Sequence, residues 1–531
     1  MPRSLSPLSI PYRAFQRGGG IAVFLAFVLS GGVTIPGVGP AGPLIVLGIG
    51  LLAVAALVGY EIAYVRRFSY ELATETLDID SGVLSRRNRE IPLRRIQNVD
   101  ISRNVVQRLL GIALVSFETA GGGETEAQLK FVTFEEAKRL QRELARLKRE
   151  AAAEEATADG EEETRAVTAE PESTELFALD RSELAILGAL SVDLRVPGIL
   201  FLLVSTIGST VISTYLEAVP GVALALAAGV LVVVVALVSW LVGAAAAIIE
   251  YYDFRLVRSG DELQYERGLL QRYDGSIPFD KIQTLTIADN PLKRHFGYAT
   301  LYIETAGYAP GSSGGSRGSE AAIPLAKRDH VLELVEELEP VGEVDFERPP
   351  RLARRRYLVR YLLVVGVLTG ITYGAETLFP LPFPPWLPLL LAPLAVLFAH
   401  ATWRNRGHWL GEHHVVTRNG VLRRETKIVP YYRIQTVIDS RNVFQRRLGL
   451  ATVTIDTAGS LSLGGQDAAA VDVSGARADE LREGLETRLE DAVDAYRAGR
   501  AGIGSEDEPG ASDGDEADDS TGDWERRGEE T

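Results

Sequence analysis

Ile91-Pro92-Leu93-Arg94-Arg95-Ile96-Gln97-Asn98-Val99 leads into Arg103-Asn104-Val105-Val106-Gln107-Arg108-Leu109-Leu110-Gly111 and then Thr119-Ala120-Gly121. The same spelling returns as Ile277-Pro278-Phe279-Asp280-Lys281-Ile282-Gln283-Thr284-Leu285, Asn290-Pro291-Leu292-Lys293-Arg294-His295-Phe296-Gly297 and Thr305-Ala306-Gly307. A third copy reads Val429-Pro430-Tyr431-Tyr432-Arg433-Ile434-Gln435-Thr436-Val437, Asn442-Val443-Phe444-Gln445-Arg446-Arg447-Leu448-Gly449 and Thr457-Ala458-Gly459. From Pro92 to Gly121 the copies superpose without a gap when 186 is added for the second and 338 for the third. Gly82, Gly268 and Gly420 extend the register, as do Arg86, Arg272 and Arg424. Chance does not align such spaced residues three times. One domain is triplicated in the chain, at a spacing far longer than solenoid repeats use.

A second repeat lies over the first. Residues 18–34 and 44–65 are apolar, separated by Pro36, Gly37, Gly39 and Pro40, and Glu61 is the single charge between Gly18 and Val65. A membrane-spanning helix needs about 20 mostly apolar residues, so this reads as a helical hairpin. Residues 196–214 with 221–249, and 357–375 with 386–403, repeat the unit where no cleaved signal peptide can sit. The loops inside the hairpins, near 35–43, 215–220 and 376–385, hold no Lys or Arg. Arg13, Arg17, Arg66, Arg67, Arg195, Arg255, Arg351, Arg354, Arg355, Arg356, Arg360, Arg404 and Arg406 all flank the other ends. The positive-inside rule then places the N-terminus, every repeated domain and the C-terminus in the cytoplasm of a multi-pass cell-membrane protein.

Each hairpin feeds a mainly β domain. Leu77-Asp78-Ile79-Asp80 alternates, Ser81-Gly82 turns, and Asn419-Gly420 stands at the same turn in the third copy, a strong hairpin signal. The segment from Asn to Gly reads as one short helix. Asn104 and Asn442 are N-caps with Gln107 and Gln445 at the third helical position, Pro291 suits the first helical position, and Gly111, Gly297 and Gly449 suit a left-handed C-cap. A strand follows each glycine, and helices near 134–149, 325–338 and 476–496 close the copies.

This order of helix pair, glycine hairpin, Ile-Pro-x-x-Arg/Lys-Ile-Gln, Asn-x-x-Gln-Arg-x-x-Gly and Thr-Ala-Gly resembles the bacterial and archaeal pleckstrin-homology-like (PH) membrane proteins of the YdbT type. The resemblance spans nearly the whole chain and implies, for each soluble domain, a bent antiparallel sheet closed by a C-terminal helix. The second copy departs from the pattern, with Asp289-Asn290-Pro291-Leu292-Lys293 in place of Arg-Asn-x-x-Gln. The expected fold is an α+β membrane protein with six transmembrane helices in three hairpins, each followed by a cytoplasmic PH-like β-sandwich or barrel capped by a C-terminal helix. In sequence order these are 1–67 N-terminus and hairpin 1, 68–149 PH-like domain 1, 150–178 disordered acidic linker, and 179–252 hairpin 2. Then come 253–340 PH-like domain 2, 341–406 linker and hairpin 3, 407–497 PH-like domain 3, and 498–531 disordered acidic tail.

Composition narrows the function. The net charge of −16 argues against a nucleic-acid binder, which needs a basic footprint. Surface carboxylates in such excess suit a salt-rich cytoplasm. The absence of cysteine excludes a disulfide framework, a thiolate metal site and a cysteine nucleophile. Pro310-Gly311-Ser312-Ser313-Gly314-Gly315-Ser316 lacks the Gly-Lys-Ser/Thr phosphate motif. His400, His408, His413 and His414 have no His-x-x-x-His pair within a helix and read as an interfacial group rather than a metal site. No cofactor, metal or catalytic grouping is expected.

The repeated basic positions are the candidate contacts for lipid or partner: Arg86, Arg272 and Arg424 after the first hairpin; Arg95, Lys281 and Arg433 before Ile-Gln; Arg108, Arg294 and Arg446 on the short helix. Tethered close to helix ends, they are placed to face an anionic leaflet, at about 1 kcal/mol per basic residue. A packing or salt-bridge role in the fold is the alternative. The expected function is a non-enzymatic membrane scaffold binding membrane lipids and membrane or cytoplasmic protein partners, with the three copies packing as an intramolecular pseudo-threefold assembly. Its rivals are a transporter or channel built from the six helices, for which Glu61 and Glu250 are the intramembrane acids, and a membrane-tethered enzyme with a pocket of convergent polar groups.

Overall fold

A computed structural model of the protein describes residues 3–29, 42–119, 127–158, 173–191, 221–305, 319–378, 384–458 and 467–502. Each repeat folds as two antiparallel three-stranded meanders and a closing helix. The first meanders are β2 (Ser69–Leu72), β3 (Thr76–Ser81) and β4 (Arg87–Pro92); β9 (Arg255–Ser259), β10 (Glu262–Arg267) and β11 (Gln271–Pro278); and β15 (Gly407–Leu410), β16 (His414–Asn419) and β17 (Arg424–Pro430). The second meanders are β5 (Ile96–Asn104), β6 (Ile112–Thr119) and β7 (Ala127–Thr133); β12 (Ile282–Asp289), β13 (Tyr298–Thr305) and β14 (Ser319–Lys327); and β18 (Ile434–Ser440), β19 (Leu450–Thr457) and β20 (Ala468–Ser474).

The repeated residues explain this geometry locally. Pro92, Pro278 and Pro430 end their strands with φ of −58°, −64° and −63° and cap a single 3-10 turn, the φ that the pyrrolidine ring fixes anyway. The Ile that follows is buried in all three copies, and the strand register slips at the Gln behind it, between Ile96/Asn98, Ile282/Thr284 and Ile434/Thr436. The repeated Gln therefore marks a β-bulge. Short helices α3 (Val105–Leu109), α7 (Pro291–Phe296) and α11 (Val443–Leu448) follow. Asn104 with Gln107, and Asn442 with Gln445, form complete capping boxes, and Asn290 accepts from the Lys293 N–H. Gly111, Gly297 and Gly449 are left-handed at φ 66°, 72° and 64°.

Each module's two meanders enclose one core, closed by α4 (Phe134–Ala158), α8 (Arg328–Leu338) or α12 (Gly475–Gly502). In the first, Leu77 and Ile91 meet Ile101, Val115 and Leu129 under Leu140 and Leu144 of α4. Leu263 and Ile277 meet Ile287 and Leu301 under Val331 and Leu334 in the second. In the third, Val415 and Val429 meet Val453 and Ile455 under Leu481 and Leu485.

The membrane part is seen in α1 (Ser9–Leu29), α2 (Gly42–Arg67), α6 (Gly221–Tyr251), α9 (Arg351–Leu378) and α10 (Ala392–Arg404). Among the described residues, four helical segments are long and apolar enough to cross a bilayer: Leu47–Arg67, Val233–Tyr251, Arg351–Leu378 and Leu387–Arg404. Their large side chains, such as Val233, Leu237, Leu241, Leu363, Val367 and Leu397, stand exposed, as lipid-facing residues must. Helix α1 packs on α2, α5 (Arg181–Leu190) on α6, and α9 on α10. The expected helix at 196–214 lies outside the described residues.

Three features depart from the expected boundaries. The outermost strand of each first meander comes from before its hairpin: β1 (Arg3–Ser4) pairs with β2, β8 (Ser173–Ala178) with β9, and Glu347 bridges to His408 on β15. Helix α4 continues to Ala158 and β8 forms at 173–178, so both ends of the stretch expected as a disordered linker are ordered structure. The modules also share sheets. One runs β7-β6-β5-β11-β10-β9-β8, joining modules 1 and 2, and another runs β14-β13-β12-β17-β16-β15, joining modules 2 and 3. Among the described residues two such junctions form, in a linear series in which β4 and β18 are left as sheet edges, and no third sheet junction joins modules 3 and 1 as a pseudo-threefold assembly would allow.

Candidate functional site

Four of the nine basic candidates meet at these junctions. In the first, Arg108 on α3 donates from Nη2 to the Leu269 carbonyl at the tip of the next module's hairpin, at 2.6 Å. Arg294 does the same in the second, to the Val421 carbonyl at 2.6 Å. Arg272 bonds Asp253 at 2.9 Å and Glu266 at 2.7 Å; burial disfavours its charge, but those two carboxylates outweigh it and hold its pKa up. Arg424 reaches across the junction to Asp289 at 2.5 Å.

Asp289 is where the second copy departs from the pattern, and the departure has a purpose in the packing. The carboxylate is 2% exposed and faces Arg294 and Arg328 at 3.4 Å each besides Arg424. At the equivalent place in the first junction, Arg103 lies instead over the Phe134 ring, 3.4 Å from its centroid. Cations outnumber anions around Asp289: burial, then Arg424, Arg348 and Arg328, lower the pKa of Arg418 to about 10. Lys293 turns its ammonium onto the hydroxyl of buried Thr300 at 2.7 Å, and burial followed by Arg423 lowers its pKa to about 8.

The other five candidates divide. Lys281 is paired with its neighbour Asp280 at 2.6 Å, Arg433 lies over the Tyr432 ring at 4.7 Å, and Arg95 stands exposed on its 3-10 turn. Arg86 and Arg446 are exposed; they are the counterparts of Arg272/Arg424 and Arg108/Arg294 at the two unjoined ends. No single pocket collects the nine.

A surface that the basic pattern did not reveal lies beside them. The hairpin tips expose Leu84 (93%), Leu270 (51%) and Leu422 (54%), and the short helices expose Val106 (50%), Leu292 (45%) and Phe444 (68%). Both sets are equivalent under the offsets of 186 and 338, a signal available in the sequence had apolar positions been aligned as well as polar ones. The first two tips sit at the ends of the spanning helices. The N–H groups of Gly268 and Leu269 donate to the Tyr252 and Ile249 carbonyls at 2.9 Å each, and Arg67 at the end of α2 donates to the Val83 carbonyl at 3.1 Å. The N-cap asparagines add a second tie, Asn104 to the Tyr12 hydroxyl at 2.6 Å and Asn290 to the Leu190 carbonyl at 3.0 Å. Modules 1 and 2 thus each present a greasy, arginine-flanked corner tied to the ends of their helices, and module 3 carries the equivalent residues.

The Bacterial PH domain family model matches three segments of this chain, residues 24–148, 200–341 and 359–489. The chain belongs to the bacterial PH-domain family. It is 25% identical over 415 residues, 75% of this chain and 81% of the relative, to the UPF0699 transmembrane protein YdbT of Bacillus subtilis (strain 168). The matches carry the YdbT-type resemblance, and with the four apolar helices they make this a transmembrane PH-domain protein.

Several acids and histidines of this PH-domain protein are bound into its frame. Glu61 is fully buried between Arg13 and Arg17, each at 2.6 Å, which ties α1 to α2. Glu250 is 3.2 Å from Arg267. Asp472, fully buried on β20, accepts from Gln445 at 2.8 Å and faces Arg406 at 3.2 Å and Arg356, fastening PH module 3 to hairpin 3. The four histidines have separate partners. His414 meets Glu339 at 3.0 Å and buried His408 lies 3.6 Å from Glu347, so both hold the segment leaving PH module 2. His413 is exposed and His400 stacks on Trp403.

Proposed function

We propose that this protein is a non-enzymatic membrane scaffold whose six helices, in three hairpins, hold a row of three PH modules flat against the cytoplasmic leaflet. The observation that carries the reading is the sixfold set of exposed apolar side chains, Leu84, Leu270, Leu422, Val106, Leu292 and Phe444, whose corners in modules 1 and 2 are tied to the ends of the helices. Apolar side chains at a membrane boundary enter the interface, and nearby cations bind anionic headgroups. Arg86, Arg446 and the neighbouring Arg447, all exposed, supply that charge. The positive-inside distribution favours the cytoplasmic side. The outer sheets and closing helices are left for protein partners. Pairing of Glu61 and Glu250 with arginines speaks against transport through the helices.

The chain contains no cysteine, so single cysteines can report the contact. An environment-sensitive fluorophore at Leu84, Leu270 or Leu422 in anionic vesicles is expected to be quenched by spin-labelled lipid and protected from iodide. The same probe at Leu332, exposed on α8, is expected to show the reverse. Tip probes quenched by iodide as readily as the Leu332 probe would overturn the proposal.

A further inference from the structure

The two junctions repeat each other residue for residue. Between β5 and β11, Ser102 lies opposite Tyr273 and Arg103 opposite Arg272. Between β12 and β17, Ala288 lies opposite Glu425 and Asp289 opposite Arg424. These are the same pairs moved one module on, by 186 on one strand and 152 on the other. Moving the first-junction pairs a further step, by 338 on β5 and by −186 on β11, names Asp439 opposite Asn88, Ser440 opposite Arg87 and Arg441 opposite Arg86. Those residues lie on or beside β18 and β4, each an edge strand of its sheet.

The free edges are built like the joined ones. Every residue of β12 is buried, but of β18 only Ile434 is. Ile438 is 46% exposed where its equivalent Thr286 is 3% exposed. In β4 only Ile91 is buried, whereas its counterpart β11 buries four residues in a row, Asp274 to Ile277. Arg446 has no partner among the described residues, whereas its equivalents Arg108 and Arg294 each hold the carbonyl of a hairpin tip. One carboxylate oxygen of Asp439 is buried without a hydrogen bond among the described residues, and the carried-over register sets the Asn88 amide opposite it.

We propose that β18 of one chain adds to β4 of a second copy at this register, with Arg446 reaching the Val83 carbonyl of that copy. The surfaces are different, so the contact is head-to-tail and propagates until it closes. Anchorage confines it to the membrane plane. A second copy is the occupant because both junctions step the same way along the chain. The step beyond module 3 therefore requires a module 1, and this chain's own β4 and β18 end separate sheets. An edge strand with exposed apolar side chains is also a surface that proteins otherwise blunt or cover.

The test is cysteine cross-linking of the full chain in native membranes, where no native cysteine interferes. Chains carrying only Asn88→Cys are co-expressed with chains carrying only Asp439→Cys, and Arg87→Cys with Ser440→Cys. Directly opposed antiparallel residues sit about 4.5–5.5 Å apart, within disulfide reach. Reducible mixed dimers are expected from at least one in-register pair. None is expected from Asn88→Cys with Gln435→Cys, four residues out of register. Absence of mixed dimers, equal yield from the out-of-register pair, or cross-linking confined within single chains bearing both cysteines would each overturn the proposal. Resistance of the same variants to limited proteolysis in the membrane reports that their modules remain folded; the head-to-tail contact does not depend on the tip fluorescence.

Discussion

Lys293→Gln should stabilise the protein. At this position modules 1 and 3 carry Gln107 and Gln445, and Gln445 shows what a glutamine does: its Oε1 accepts from the Asn442 N–H at 3.0 Å and its Nε2 donates to Thr452 at 2.8 Å. Lys293 makes only the equivalent of the second bond, to Thr300. Its pKa falls from 10.5 to about 8, which at 1.36 kcal/mol per pH unit means that the buried charge costs roughly 3 kcal/mol at neutral pH. Attraction to Asp289 is lost with the charge, but that carboxylate keeps three arginines. A net gain of about 1–3 kcal/mol follows, including a capping bond worth about 1 kcal/mol. The pH dependence has a definite sign. Between pH 8 and 10.5 the unfolded chain keeps the lysine proton that the folded chain sheds, so wild-type stability rises with pH through that window. The advantage of Lys293→Gln must therefore shrink from pH 7 to pH 9.5. Pulse proteolysis across a denaturant series, on full chains in nanodiscs and reading cleavage in module 2, measures both. A neutral or destabilising effect at pH 7, or an advantage unchanged at pH 9.5, refutes the reasoning.

Two further substitutions separate junction from turn chemistry. Asp289→Ala leaves Arg294, Arg328 and Arg424 facing one another without a counter-charge; removing one side of a buried pair costs about 3–5 kcal/mol, and hydrogen exchange should quicken in β12 and β17 together while β5 and β11 keep their protection. Gly268→Ala should cost more than Gly297→Ala. The Cβ at 268 falls 1.9 Å from the Gln271 carbonyl oxygen at φ 106°, whereas at 297 it meets open space at φ 72°. The second change is then limited to the left-handed backbone penalty of about 1 kcal/mol, and equal midpoints in chemical denaturation would contradict the comparison.

What could be read from the sequence was chemistry that is settled within a few residues. Asn104 caps its helix through Gln107 three positions on, Gly111 takes a left-handed backbone at once, and Pro92 stops its own strand. Each of these needs no knowledge of distant chain. The strands β1 and β8 and the Glu347 bridge escaped because two to six residues ahead of a hairpin carry no pattern, and their partners lie on the far side of two helices. The linker shows the same limit. Its acidic composition describes residues with little to bury, yet Phe177 at its end is buried on the module 2 core. The leucines at 84, 270 and 422 were overlooked for a different reason: a single exposed leucine says nothing, and their meaning comes from recurring at one place in three modules.

The arginines show why a residue repeated in every copy need not serve its own copy. Arg108 and Arg294 touch a carbonyl of the following module, and Arg424 neutralises an aspartate of the preceding one. A repeat of this kind records the interface between units, and the unit alone contains no reason for it. Backbone pairing is the constant element: both junctions keep one register although Arg103 faces Arg272 in the first and Asp289 faces Arg424 in the second. Main-chain hydrogen bonds thus fix where the strands meet, while the side chains differ by junction. With Arg103 committed to the Phe134 ring and Arg272 to Asp253 and Glu266, like charges face each other because each is satisfied within its own module. Charge pairs nonetheless cross both junctions: Lys138 of α4 reaches Asp274 in the first, and Arg424 and Lys427 reach Asp289 and Glu304 in the second. The pair at the first junction is the more exposed, so raising ionic strength should loosen modules 1 and 2 before modules 2 and 3, because screening reaches exposed charges and largely spares buried ones. Hydrogen exchange quickening in β12 and β17 before β5 and β11 would contradict this.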